Sequence, residues 1–214
     1  MSLQIEALSP IMWTIIIAVA LVLIAAVVFT WKSSAMSTRK MVTIAMLTAV
    51  YVVLNFAGTV RLGWINISVA SLPVIVGAML YGPVGGLLVG LLGAFMGQLL
   101  MLTYGVTATT ILWILPQAAR GLLVGVYAKH CGYKFSSGQL TLALIGTALV
   151  VTALNTGAMY IDSVIYNYYS YAYVFGGLVV RIISGAATAV LMVFVAPPVV
   201  NLLNRSLDTV RTAQ

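Results

Sequence analysis

The sequence predicts an all-α integral membrane protein in which one N-terminal transmembrane helix precedes a six-helix bundle. Three observations carry this. Hydrophobic residues make up 63% of the 214 residues and charged residues 6%, more apolar surface than a soluble domain buries. Seven apolar runs, at about 11–31, 41–59, 65–81, 84–102, 107–128, 140–160 and 173–200, each come near the ~20 residues a helix needs to cross the hydrocarbon. The alternation of a membrane β-barrel strand is absent from them.

The first run has no basic flank before it, and Lys32 follows it. A cleaved signal has the opposite charge order and a shorter apolar core, so an uncleaved anchor is expected. The polar linker 33–40 then separates it from the bundle. On the second run, Ala45 and Ala49 form a small-xxx-small step that lets another helix approach closely in lipid. Thr48, Tyr51, Asn55 and Thr59 form a polar stripe elsewhere on the same helix. The third run is short and holds Pro73, which predicts a bent or partly spanning element. Tyr81-Gly82-Pro83 reads as a tight turn. On the fourth run Gly86, Gly90, Gly93 and Gly97 share one face, a close-packing surface, with Gln98 near its outer end.

Charge placement gives the orientation. Lys32, Arg39, Lys40, Lys129, Lys134, Arg205 and Arg211 all fall on one side if the N-terminus is outside, and Arg61 falls opposite. The positive-inside rule makes that side cytoplasmic, giving a multi-pass protein of the bacterial plasma membrane with N-terminus out and C-terminus in. The expected organisation is an anchor and linker at 1–37, a membrane domain at 38–205 and a cytoplasmic tail at 206–214. The net charge of +7 comes from these loop residues, not from an aromatic-interleaved patch that would suit nucleic acid. Cys131 is the single cysteine, so an intrachain disulfide and a two-cysteine metal site are excluded, and His130 beside it reads as an interfacial residue. No metal or cofactor is expected.

Two arginines, Arg120 and Arg181, sit inside otherwise apolar runs. A guanidinium within a membrane span costs ~2.5–3.5 kcal/mol by insertion scales, so it is retained where it faces protein, water or a ligand. Arg120 shares a helical face with Thr110, Trp113 and Gln117. Arg181 shares one with Gly177, Ser184 and Thr188, while Thr152, Asn155, Thr156 and Met159 line the sixth run near its outer end. These groups can line one outward-opening cavity. Between the last two runs, six tyrosines fall among residues 160–173, with Tyr166 and Asn167 at the centre, and Arg61, Gly63 and Trp64 occupy the loop after the second run. Rings with polar tips suit a lid over a planar ligand, and they also suit a membrane interface. The arginines keep two readings open: contact with an anionic ligand, or structural pairing, for which Asp162 is the acid near Arg181.

Thr38-Arg39-Lys40 leading into Ala45-Met46-Leu47-Thr48-Ala49, and Leu72-Pro73 running on through Gly77, Tyr81-Gly82-Pro83 and Gly85-Gly86, resemble the substrate-binding S components of energy-coupling factor (ECF) transporters, in particular the folate- and pantothenate-type members. The resemblance spans about residues 38–205. It implies a six-helix subunit that captures a vitamin from outside, docks through Ala45 and Ala49 on a transmembrane T component, and is driven by two ABC ATPases. It implies that the outer halves of the last three helices, with loops as lids, hold the ligand. The substrate-binding candidates are therefore Arg181, Arg120, Gln117, Trp113, Asn155, Thr156, Asn55, Trp64, Tyr166 and Asn167. The acid that folate-type members carry after the glycine-rich helix is replaced by Gly97-Gln98, and their arginine on the first family helix is replaced near Tyr51, which argues against folate. Two arginines favour a carboxylate- or phosphate-bearing ligand.

Two other classes compete. A standalone secondary transporter of a small organic anion would need an intramembrane acid for ion coupling, and none is evident. An intramembrane enzyme would need a buried base or paired carboxylates, and Ser184 has no evident base. No Walker motif is present, so an ATP-driven step belongs to a partner.

Overall fold

The computed structural model describes residues 37–57, 59–62, 65–100, 107 and 109–212, with isolated positions at Thr14, Ile17, Ala18, Leu21, Ala25 and Val28, and without the side chains of 59–67 and 207–212. The expected N-terminal anchor lies outside the described residues apart from those isolated positions.

Helix α1 (Thr38–Ala57) buries Ile44 and Tyr51 and leaves the stripe Met41, Val42, Ala45, Met46, Ala49, Val50 and Val53 exposed. Its hydroxyls are satisfied on its own backbone: Thr43 donates to the Arg39 carbonyl at 3.0 Å and Thr48 to that of Ile44 at 2.8 Å. Strands β1 (Thr59–Leu62) and β2 (Ile65–Ser68) then form an antiparallel ribbon with Leu62 opposite Ile65. The bundle itself is all-α as expected; the ribbon corrects only the start of the third apolar run, 65–81, which the sequence read as helical from Ile65. Residues 65–68 read Ile-Asn-Ile-Ser, apolar and polar in strict alternation, and that period suits a strand.

Helix α2 (Ser71–Leu100) reverses at Gly82, whose φ of 68° and ψ of −152° glycine adopts without a Cβ penalty. The limbs 71–81 and 83–100 fold back on each other. A Cβ at Gly85 would lie 2.5 Å from the Gly77 carbonyl oxygen, and one at Gly86 2.6 Å from the Ala78 methyl. The first limb, at ~1.5 Å per residue, spans only ~16 Å, short of the ~30 Å hydrocarbon thickness. Pro73 sits in the first turn of α2, where a missing N–H costs nothing, so the bend is made at Gly82 instead.

Helix α3 (Thr110–His130) packs backbone to backbone on the second limb: Cβ atoms at Gly86 and Gly90 would each fall 2.3 Å from the carbonyl oxygens of Gly121 and Gln117. Gly93 and Gly97 instead receive Tyr51 and Asn55 of α1. One glycine face thus seats two neighbours. Helices α4 (Ser137–Ile165) and α6 (Leu178–Thr212) pair along Leu140, Leu144, Ala148, Ala189, Met192, Ala196 and Val200, and α5 (Tyr171–Phe175) is a single short turn between them. That core includes Ile75, Met79 and Val124 and concentrates in the half of the bundle near the Gly82 reversal. The opposite half, where α3 begins and α4 ends, is hollow, with cavities of about 640 and 280 Å³; one of about 420 Å³ beside Met79, Tyr133 and Pro197 lies in the Gly82 half. Five helices among the described residues are long and apolar enough to cross a membrane.

Candidate functional site

Two cavities lie along the same face of α3. The outer one, about 640 Å³, is bounded by Gln98, Thr107, Thr110, Trp113, Asp162, Tyr166, Tyr168 and Tyr173. The deeper one, about 280 Å³, brings together Gln117 and Arg120 of α3, Thr152 and Asn155 of α4, and Arg181, Ser184 and Thr188 of α6. Helical spacing explains the arrangement: positions 110, 113, 117 and 120 follow one another down a single stripe. Arg120 also borders a void of about 20 Å³ beside Ser71, Thr147 and Thr188, at the floor of the deeper cavity.

The two arginines differ in what holds them. Arg181 donates to the Val174 carbonyl, to the Gly177 carbonyl at 3.4 Å and to the Met159 sulfur at 2.6 Å, so it joins α6 to α5 and α4. Gly177 leaves open space where a side chain would stand. Arg120 has no hydrogen bond or ion pair to another described residue and opens on both voids. One turn above it, Gln117 Oε1 is buried without a hydrogen-bond partner among the described residues. Tyr51 of α1 lies within electrostatic reach of Arg120.

The alternative reading of Arg181, a bridge to Asp162, is not how Asp162 is used. Its two oxygens accept from Thr109 Oγ1, at 2.5 Å, and from Tyr168. This carboxylate therefore pins the tyrosine segment to the start of α3. Burial, then the Asp162 carboxylate it donates to, push the Tyr168 hydroxyl well above the usual phenol range, so it stays a protonated donor at neutral pH. Edge-to-face pairs extend the cluster, Tyr160 on Tyr169 at 5.5 Å and Tyr168 on Tyr173 at 5.4 Å.

A family model for the ECF transporter substrate-specific component matches residues 39–200. The chain belongs to that family. The family is one of substrate-binding transporter subunits, and with its long apolar helices this S component is a multi-pass membrane protein. No protein with a curated description matches the chain. One similar solved structure is the crystal structure of the S component for biotin from an ECF-type ABC transporter, at 16% identity and a TM-score of 0.45, covering 77% of this chain and 94% of that one.

Of the residues the sequence nominated, Arg120, Arg181, Gln117 and Asn155 meet at the deeper cavity of the S component, and Trp113 and Tyr166 at the outer one. Three do not join them. Asn55 packs against Gly97 on α2. Thr156 is buried and donates to the Thr152 carbonyl at 2.8 Å. Asn167 is exposed and takes φ 57° in the turn after α4, a left-handed position that asparagine tolerates. Trp64 lies outside the described residues. Thr152, which the sequence placed on the cavity-lining face of the sixth run but not among the substrate-binding candidates, lines the deeper cavity, and its hydroxyl already donates to the Ala148 carbonyl at 2.8 Å; the sequence did not nominate Asp162 as a latch. A lone acid within a run of tyrosines was the available signal for the latch.

Proposed function

We propose that this S component captures a small organic anion, a vitamin or related nutrient, from outside the cell for ATP-driven uptake. Arg120 supplies the charge that meets the anion. Arg181, Gln117 and Asn155 complete the wall, and Trp113 with Tyr166 lines the entrance. A T component and two ABC ATPases supply the energy, with the exposed Ala45–Ala49 stripe of α1 as the docking face. The membrane domain runs from 38 to 205, preceded by an anchor at 1–37 and followed by a tail at 206–214. The bundle sits in the bacterial plasma membrane with its hollow half outward.

The observation that carries this reading is a cavity of about 280 Å³ shared by both intramembrane arginines, one of them without a hydrogen-bond or ion-pair partner among the described residues. A half-buried cation within a membrane span is costly unless water or something negative meets it. The test is uptake and binding together. Protein purified from cells grown in rich medium is expected to carry a small anion by mass spectrometry, and uptake of that compound is expected to need a co-expressed ATPase pair. A cationic ligand would overturn the anion assignment. Uptake without any ATPase would favour a standalone carrier.

A further inference from the structure

We infer that the bundle holds an anionic phospholipid at its basic face, in the cavity beside the Gly82 reversal. This site is separate from the one proposed above and stands without it. The cavity measures about 420 Å³ and lies between the first limb of α2, the turn after α3 and the stretch 197–204 of α6. Its floor is apolar, with Met79 and Val200 buried and Phe135 half-buried. Its rim is polar and open, because Tyr133, Asn201 and Asn204 are all exposed. The cavity sits where α3 and α6 leave their apolar runs, at Lys129 and Arg205. Apolar below and wet above, it matches the level of a lipid at which acyl chains give way to ester and phosphate oxygens. The backbone shapes the opening. Gly132 and Tyr133 both take left-handed φ, 58° and 61°, and the Tyr133 N–H donates to the Ala128 carbonyl at 2.9 Å. That φ is uncommon for a ringed residue. The ring stands against the reversal, where a Cβ at Gly82 would lie 2.7 Å from the phenol oxygen.

Charge names the occupant. Lys134 lies between the lining residues Tyr133 and Phe135, and Arg205 follows Asn204. Helix α1 begins at this end too, since its later residues Tyr51 and Asn55 meet Gly93 and Gly97, farther from the reversal. Arg39 and Lys40 therefore join Lys129, Lys134 and Arg205 here, against Asp208 in the tail. Anionic lipid surfaces attract basic residues of this kind, and basic pockets between membrane helices hold anionic headgroups. The Asn201 and Asn204 carboxamides make no hydrogen bond to another described residue, so their N–H groups are available to phosphate and ester oxygens. A zwitterionic headgroup would bring a second cation beside Lys134 and gain less. A partner helix fits the lining poorly, because helix-in-groove docking needs a row of apolar seats and this rim offers two carboxamides and a phenol. The volume falls within the ~300–1,000 Å³ typical of ligand pockets.

The experiment titrates full-length protein in detergent with dioleoyl phosphatidylglycerol or dioleoyl phosphatidylcholine and counts retained lipids by native mass spectrometry. Wild type is expected to keep a phosphatidylglycerol under activation that strips phosphatidylcholine. Lys134→Gln is expected to lower its occupancy about fivefold, and Asn204→Trp, which fills the mouth, to abolish the retained adduct. Both positions are exposed, so unchanged melting temperatures are expected to accompany these losses. Lys40→Gln, on α1, which is not among the elements lining the cavity, is expected to retain the lipid. Equal retention of the two lipids, or phosphatidylglycerol retention unchanged in Lys134→Gln and Asn204→Trp, overturns the inference. An equal loss in Lys40→Gln overturns it as well, since that would report surface charge alone. Displacement of the lipid by excess glycerol phosphate overturns the lipid assignment by leaving the acyl chains without a role. Asn204→p-benzoylphenylalanine, photolysed in cell membranes, is expected to give a lipid adduct; a protein-sized crosslink in its place overturns the inference in favour of a partner chain.

Discussion

Arg120 and Arg181 are predicted to respond to the same substitution in opposite ways. Arg120→Met replaces a guanidinium without a hydrogen-bond or ion-pair partner among the described residues with an apolar chain of similar length in an apolar bundle. Removing a charge from a span recovers up to ~2.5–3.5 kcal/mol on insertion scales, discounted by whatever water reaches the cavity. The melting temperature of the ligand-free protein is therefore expected to hold or rise. Ligand affinity is expected to fall by about 2–5 kcal/mol, the usual loss when one partner of a buried charged pair is removed, or roughly 30- to 4,000-fold. Arg181→Met removes donors to two carbonyls and a sulfur and unties α5 from α6. Bonds from charged groups contribute about 1.5–3 kcal/mol, so this variant is expected to melt lower even without ligand. The assay is thermal unfolding in detergent, by intrinsic fluorescence, with and without the co-purified compound. A fall of several degrees for ligand-free Arg120→Met would refute the reasoning, because it would make Arg120 a structural residue.

Four other outcomes are expected. Ala45→Phe and Ala49→Phe should preserve ligand affinity yet abolish uptake by the assembled transporter, measured with radiolabelled ligand, since both positions are exposed on α1; normal uptake would move the docking face elsewhere. Gly86→Val should destabilise the bundle by about 1–3 kcal/mol or more, because a Cβ there meets the Gly121 carbonyl and the Ala78 methyl, seen as a lower melting temperature. Asp162→Asn should loosen the 166–173 segment, read as faster hydrogen exchange there with α2–α3 unchanged. The pH sign follows from Tyr168. Its raised hydroxyl pKa means the stabilisation is fully present below the ordinary phenol value near ~10 and is lost as pH rises through the higher folded value. Exchange in that segment should therefore stay slow through pH 9, and Tyr168→Phe should remove the alkaline loss.

The apolar runs of α1, α3 and α4 were legible because each is long, bounded by polar loops and marked by one polar stripe. So was the reversal at Tyr81-Gly82-Pro83, where only glycine takes the backbone angles cheaply. The meeting of Arg120, Gln117, Asn155 and Arg181 followed from helical spacing on neighbouring spans. The ribbon was hidden because four alternating residues, 65–68, run straight into a long apolar stretch whose helical pattern dominates any window. Asn55 lies outside the lining of both cavities for a different reason: periodicity says which residues share a face but not which neighbour that face meets, and Gly97 leaves room for it. Asp162 stood as the partner in the alternative, structural reading of Arg181 on charge alone. The nearer partners were Thr109 and Tyr168, neutral donors that no charge count reveals.

A crystal structure of the protein with its co-purified compound bound tests the central claim most directly. The account predicts a negatively charged group within hydrogen-bond distance of the Arg120 guanidinium, with the body of the molecule reaching past Gln117 toward Trp113. A ligand seated away from Arg120, or one that presents a cation or a bare apolar surface to it, would contradict the account.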